Sequence, residues 1–176
     1  MKFTATELPG VWIIDLERFA DERGFFARAW CQKEFAAHGI TCTLAQANLA
    51  HNARKGTLRG MHYNAAPHEE AKLVRIVRGA AYAVVLDWRT SSPTYRQSVS
   101  TEISAENCRA IWVPEGCALG YQTLENDTDV FYLMSRHFVP EAARGMRYDD
   151  PALGLSWPLA VEVISEKDRL WPACAV

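Results

Sequence analysis

This chain has no surplus of either charge, no long apolar run and no paired-cysteine motif, and each absence removes a class of function. Nineteen lysines and arginines stand against 21 acidic residues, so the net charge of −2 gives a nucleic acid or an anionic membrane no electrostatic footing. The longest apolar stretches fall far short of a bilayer span, and the opening MKFTATELPG lacks the apolar core of a secretory signal. The five cysteines (Cys31, Cys42, Cys108, Cys117 and Cys174) are odd in number and scattered, without a Cys-x-x-Cys pair. That pattern suits reduced, mostly buried thiols in a cytoplasm and gives zinc no support. Cys117, beside a Pro-Glu-Gly turn, reads as a small buried hydrophobe.

Several catalytic signatures are missing as well. There is no Gly-x-Ser-x-Gly elbow, and no glycine-rich loop opens a helix for a nucleotide phosphate. A metal site in an antiparallel sandwich takes a His-x-His pair, but His62 is followed by Tyr63 and Asn64. The turn Pro114-Glu115-Gly116 runs on to Cys117-Ala118-Leu119, with leucine where a further histidine ligand is expected. His51 and His68 lie in polar, loop-like sequence and are expected to face solvent. Neither a metal nor another cofactor is expected.

What the chain does have is a quick succession of short β-like runs. Its 176 residues, 49% hydrophobic and 23% charged, are enough to bury one proper core. Without a repeat, linker or low-complexity stretch, residues 1–176 read as one domain. Residues 10–16 carry the β-branched and aromatic content of a strand, Asp21-Glu22-Arg23-Gly24 is turn chemistry, and residues 25–30 return as a second strand. Residues 32–38 are the one helical candidate of the first half, closed by Gly39. Strand-like runs follow at 44–48, 57–63, 71–77, 80–87, 97–103, 109–113, 118–124 and 129–134. This spacing predicts an antiparallel sandwich or barrel rather than a βαβ fold. In the tail, residues 147–151 form a turn and Ser156-Trp157-Pro158 an extended, aromatic-anchored stretch. Ser165 then caps a short helix, which places Asp168 near its positive end, worth about 0.5 kcal/mol.

Candidate chemistry concentrates in Thr57-Leu58-Arg59-Gly60-Met61-His62-Tyr63-Asn64. In an extended chain, Leu58, Gly60 and His62 point to one face and Arg59, Met61 and Tyr63 to the other. A bulge or turn at Gly60 brings the cation and the imidazole to one pocket. Arginine is a fixed cation whose fork fits phosphate, and histidine moves protons near neutral pH. A base at His62, an acid at Tyr132 and a cation at Lys72 suit enolisation beside a carbonyl. Each also has an ordinary role open to it: Arg59 on a surface carboxylate, His62 hydrogen-bonded in the core, Tyr132 as a core aromatic, Lys72 as a snorkelling surface lysine. The residues by themselves leave both sets of roles open.

Taken end to end, the motifs resemble those of the dTDP-4-dehydrorhamnose 3,5-epimerase family over about residues 10–172. They include Asp21-x-Arg23-Gly24-x-Phe26, Gln46-x-Asn48, Leu58-Arg59-Gly60-Met61-His62-Tyr63 and Lys72-Leu73-Val74. Further on come Asp87-x-Arg89-x-x-Ser92-Pro93-Thr94, Pro114-Glu115-Gly116, Gly120-Tyr121, Tyr132, Asp149-Asp150-Pro151, Trp157-Pro158 and Ser165-Glu166-Lys167-Asp168. The resemblance implies an all-β fold, an antiparallel jelly-roll (cupin-like) sandwich with short peripheral helices. It implies a metal-independent isomerase of deoxysugar biosynthesis, acting at C3, C5 or both of a nucleotide-diphosphate-linked 4-keto-6-deoxyhexose. It also implies a homodimer, which would cover an exposed sheet edge.

By the same resemblance, His62 would remove a proton α to the C4 ketone, Asp168 would orient its imidazole, Lys72 would hold the enolate oxygen and Tyr132 would return a proton to the opposite face. Arg59 and Arg23 would take the diphosphate, while Phe26, Gln46, Asn48 and Phe138 would seat the nucleotide, Phe138 as a stacking face.

Five departures from the family pattern qualify this. Leu119 stands in place of a histidine and Ala83 in place of an aspartate, so a second histidine–carboxylate pair is replaced by an apolar wall. Losing both members avoids a lone buried polar group, and leaves a drier sugar pocket with one oxyanion donor fewer. Arg28 and Ala143 replace glutamates, and Phe138 replaces tyrosine. Arg28 only donates hydrogen bonds, so the base is expected to be something other than thymine or to be held differently. The alternatives to epimerisation are a 3,4-ketoisomerase of a similar sugar nucleotide and a non-catalytic nucleotide-sugar-binding relative.

Overall fold

The computed structural model describes residues 1–174. Its first strands are short. β1 (Lys2–Ala5) pairs with β2 (Trp12–Asp15), then β3 (Arg18–Asp21) and β4 (Gly24–Ala27) form a separate hairpin, followed by α1 (Gln32–Ala36). The longer strands are β5 (Gln46–Asn52), β6 (Thr57–Asn64), β7 (Lys72–Arg78), β8 (Ala80–Asp87), β9 (Ser98–Ser104), β10 (Arg109–Val113), β11 (Cys117–Thr123) and β12 (Thr128–Met134). The tail supplies β13 (Ala143–Gly145), β14 (Val163–Ile164) and α2 (Glu166–Arg169).

Two sheets result, one in the order β1-β2-β10-β7-β12-β5 and the other β13-β6-β11-β8-β9, with β14 lying parallel beside β6. Period-two alternation explains why they stack. Val74 and Ile76 of β7, Ile111 and Val113 of β10 and Val130 of β12 point inward from the first sheet. They meet Ala81, Ala83 and Val85 of β8 and Cys117, Leu119 and Tyr121 of β11. Each large aliphatic side chain buried in this way contributes about 1.5–3 kcal/mol. This is the antiparallel jelly-roll sandwich that the strand spacing and the motifs predict.

Both outer faces are covered. Phe35 of α1 packs with Ile14, Leu73 and Trp112 on the first sheet, and the tail lays Leu153 and Trp157 against Met61, Val84 and Leu86 on the second. The helix ends at Ala36, two residues before the expected His38, and the Ile40 N–H then bonds back to the Phe35 carbonyl at 3.0 Å. The run predicted at 44–48 is a strand from Gln46 to Asn52, so His51 lies on a strand rather than in a loop. It still faces solvent, with Nδ1 2.7 Å from Asp129 Oδ1. β1, β3, β13 and β14 are not expected from the sequence. β13 and β14 have three and two residues and exist only through pairing with β6, a long-range contact that local pattern does not encode.

The cysteines need one correction. Only Cys117 is fully buried, and burial pushes its thiol up to about 12; the other four are half-buried, since they lie on loops and sheet margins. Among the described residues, no helix is long and apolar enough to cross a membrane.

Candidate active site

The site is organised by an irregularity in β6. Against β11, Arg59 pairs with Tyr121 and His62 with Leu119, so two residues, Gly60 and Met61, stand opposite the single Gly120. This is a β-bulge, and it resets the alternation. Met61 and Tyr63 go to the outer cluster, while Arg59 and His62 line one inner cavity, as a bulge at Gly60 predicts. Glycine is required there. Gly60 has φ +127°, and a Cβ at this position would lie 2.4 Å from the Gly120 Cα.

His62 meets Asp168, 106 residues further along the chain. The Nε2–Oδ1 distance is 2.6 Å. A carboxylate only accepts, so Nε2 carries the hydrogen, and in the neutral form of the ring Nδ1 is then the nitrogen with the lone pair. Asp168 is 4% exposed and also accepts from the Gly60 N–H at 3.4 Å and from the Trp171 indole N–H at 3.2 Å. Burial works to raise its carboxyl, but the His62 hydrogen bond and charge, helped by those two donors, outweigh burial and hold it below the usual carboxylate range. Its backbone N–H is capped by Ser165 Oγ at 3.0 Å, so the helix-start reading and the histidine-partner reading hold together.

The cavity beside His62 has a volume of about 220 Å³. Lys72 and Tyr132 line it from β7 and β12, and Tyr121 from β11. Ala50, Val74, Leu119 and Val130 form its apolar wall, and Ala83 is buried directly behind, opposite Tyr121 in the sheet. The wall is apolar at Leu119, whereas Ala83 lies in the core and does not line the cavity. Burial raises the Tyr132 phenol above its ordinary value, with Arg59 pulling it down and Glu70 pushing it up. The phenol is protonated at neutral pH and can act as an acid. A second cavity of about 240 Å³ shares His62, Lys72 and Tyr132 and adds Phe138, Ala143, Arg144, Lys167 and Trp171, so cations and aromatic faces stand side by side.

Gln46 and Asn48 share the inward row of β5 with Ala50 and Asn52. Asn48 pairs directly with Tyr132, and Gln46 Oε1 accepts from the Phe138 N–H at 2.7 Å. The next inward residue, Asn52, escaped the sequence reading although the same alternation points to it. Its Nδ2 donates to the carbonyls of Ala50 and Thr128, which turns Oδ1 toward Arg59 Nε at 2.8 Å and fixes the guanidinium. Glu70 was missed too: its Oε1 is 2.7 Å from Lys72 Nζ. The signal available was its position two residues before Lys72, on the same side of an extended chain.

Gln46 and Asn48 are not themselves among the residues lining either cavity, and three further expected residues lie elsewhere. Arg23 is at the tip of the β3–β4 hairpin, paired with Asp21; Phe26 is 69% exposed on β4; and Arg28 donates to Glu34 Oε1 at 3.0 Å. None of them lines either cavity at His62 within this chain. Among the described residues, no group of three or more His, Cys, Asp or Glu side chains is placed to hold a metal ion.

An antiparallel jelly roll whose cavity holds an acid-backed imidazole, a phenol, an ammonium and an arginine has the groups that proton transfer beside a carbonyl requires. Comparison with known proteins makes the class specific. The family model described as dTDP-4-dehydrorhamnose 3,5-epimerase matches residues 5–175. A dTDP-4-dehydrorhamnose 3,5-epimerase of Sinorhizobium fredii is 39% identical over 174 residues, covering 98% of this chain and 89% of that one. The crystal structure of the Bacillus anthracis enzyme of the same name, with TDP and PPi bound, superposes with a TM-score of 0.95 at 32% identity over 98% of this chain and 99% of that one. The dTDP-6-deoxy-D-glucose-3,5-epimerase of Legionella pneumophila, in complex with dTDP-4-keto-L-rhamnose, gives 0.89 at 35% identity over 95% and 89% of the two chains. The chain belongs to the dTDP-4-dehydrorhamnose 3,5-epimerase family.

Proposed function

We propose that the protein epimerises a nucleoside-diphosphate-linked 4-keto-6-deoxyhexose through an enolate, with His62 as base, Tyr132 as acid and Lys72 as the donor to the enolate oxygen. One observation carries this reading: His62, held by Asp168, shares a cavity with Lys72 and Tyr132. The ketone acidifies the neighbouring C–H. His62 Nδ1 takes that proton, the electron pair moves onto the ketone oxygen, and Lys72 Nζ–H donates to the charge that develops there. Tyr132 then delivers its proton to the other face of the carbon, and the configuration inverts. Imidazolium and phenolate return to their starting forms by exchange with solvent. Asp168 positions the imidazole and balances its charge.

Arg59, fixed by Asn52, suits the diphosphate, and Phe138 offers a face for the base. Leu119 and Ala83 remove a polar group from one side of the sugar, which favours inversion at a single carbon. Arg23, Phe26 and Arg28 reach a nucleotide only from a second copy of the chain. Phe19, Phe25 and Phe26, between 52% and 69% exposed on one hairpin, supply the apolar face such a homodimer needs.

Solvent-deuterium incorporation followed by NMR tests the reaction. Deuterium is expected at C3 or C5 of the 4-keto sugar nucleotide, with His62→Asn lowering the rate by about 10³-fold. No exchange at either carbon of any candidate sugar would end the epimerase reading. Tight binding without exchange, indifferent to His62→Asn, would identify a non-catalytic relative instead.

A further inference from the structure

We infer that Glu70 is a positioning residue for this reaction, holding the Lys72 ammonium against the cavity that His62 and Tyr132 share. The inference rests on the functional reading above and adds to it a residue that none of the sequence motifs contains.

Glu70 is 6% exposed, and its side chain together with that of Lys72 is withdrawn from solvent at 3% and 14%. One carboxylate oxygen, Oε1, takes the ammonium at 2.7 Å, while the other, Oε2, is buried without a hydrogen-bond partner. Asn64 Nδ2, lining the same second cavity, is buried and unpartnered too. Such a pair is a poor folding device: desolvating two charges is costly, and an unsatisfied carboxylate oxygen adds to that cost. Its geometry makes sense for the chemistry. Lysine has a flexible four-carbon stem and three rotatable donors, so by itself it defines no direction. With one N–H spent on Glu70, the ammonium is anchored where Lys72 borders both cavities beside His62 and Tyr132, and two N–H groups remain for a ligand there. The same negative charge favours the protonated phenol of Tyr132, against the opposing pull of Arg59. One carboxylate thus acts on both Lys72 and Tyr132.

The test compares Glu70→Ala with Glu70→Gln, which keeps the shape and one acceptor for Lys72. In protein labelled with ¹⁵N-lysine, Lys72 is expected to show a slowly exchanging ammonium resonance, assigned by its absence in Lys72→Met. That resonance disappears in Glu70→Ala and persists, shifted, in Glu70→Gln. In deuterium exchange, kcat is expected to fall about 10- to 100-fold in Glu70→Ala, with KM and the calorimetric affinity for dTDP within about twofold, and to recover much of the loss in Glu70→Gln. An unchanged ammonium resonance in Glu70→Ala overturns the inference. So does a fall in kcat matched by equal losses of dTDP affinity and thermal midpoint in both variants, which would mark a structural role. If the native enzyme exchanges no deuterium on any sugar nucleotide, the epimerase reading fails instead, and the resonance alone still decides whether Glu70 orients Lys72.

Discussion

The cavity at His62 and the β3–β4 hairpin are built in opposite ways. Two cavity groups are tied by another element, His62 by Asp168 of α2 and Arg59 by Asn52 of β5, and Lys72 is tied by Glu70, two residues before it but buried with it. In the hairpin, Arg23 is 85% exposed at its side chain and answers to Asp21, two residues away, while Phe25 and Phe26 stand in the open. Side chains in the first region are over-determined by the chain's own fold. In the second they are determined only locally. The lesson is one of division: on the proposed function, the chain would finish its proton chemistry by itself and leave part of the nucleotide seat to a second copy.

Two glycines allow the sharpest test, because they share a φ and differ in surroundings. Gly60 in the cavity has φ +127° and Gly24 in the hairpin φ +126°, yet a Cβ at Gly24 meets nothing within 4 Å while one at Gly60 runs into Gly120. Alanine at either place carries the backbone strain of a positive φ, about 1–2 kcal/mol. At Gly60 the strands must also separate, so Gly60→Ala is expected to cost about 3 kcal/mol or more in denaturant unfolding. Moving Arg59 relative to His62 should lower kcat by about 100-fold. Gly24→Ala should leave kcat where it is. Equal costs at the two positions would mean that the β6 bulge is not the element that assembles the site.

A smaller effect of a different kind is expected from the hairpin. Arg23→Ala and Phe26→Asp should raise KM about tenfold, as for one lost charged hydrogen bond or one lost apolar anchor, with kcat at saturation nearly unchanged. Phe26→Asp should also shift the native mass measured by light scattering toward the monomer. If KM and mass both stay put, the hairpin takes no part in nucleotide binding, and the cavity is complete in one chain.

What could be read from the sequence follows the same division. The co-location of Arg59 and His62 was legible because a bulge is local: one glycine between a cation and an imidazole on a strand is enough to suggest it. Gln46 and Asn48 came through family resemblance; alternation puts them on one row, and following it to the end of the strand would have added Asn52. Asp168 had only its helix-start role in the residues; its partnership with His62 came through family resemblance, since no spacing rule joins positions 106 residues apart. Glu70 stayed hidden because its neighbours, EEAK, look like an ordinary solvated stretch until β7 carries Lys72 into the sandwich. The turn of the hairpin was plain in Asp21-Glu22-Arg23-Gly24, but what its exposed phenylalanines meet would, in the proposed homodimer, be a property of the assembly. A single chain's pattern does not contain that information.

Acid separates the two regions by the smallest effect. Both Asp168 and Asp21 have carboxyls held below the ordinary value. For Asp168, burial opposes the shift and His62 with its neighbouring donors wins; for Asp21, the Arg23 hydrogen bonds act on a fully exposed group. A carboxyl whose pKa is depressed by folding contributes stability that is complete above the unfolded value and is lost as pH falls through the folded one. The loss therefore lies below about pH 4 for both residues. Only at Asp168 is the partner interaction sheltered from solvent, so only there should it register in the stability of the fold. Thermal midpoints recorded from about pH 6 down to about pH 2 should show a shallower acid limb in Asp168→Asn than in the native protein, and an unaltered one in Asp21→Asn. The reverse ranking would mean that the hairpin's ion pair is held by contacts of its own, and that the contrast between a determined cavity and an undetermined hairpin is wrong at its base.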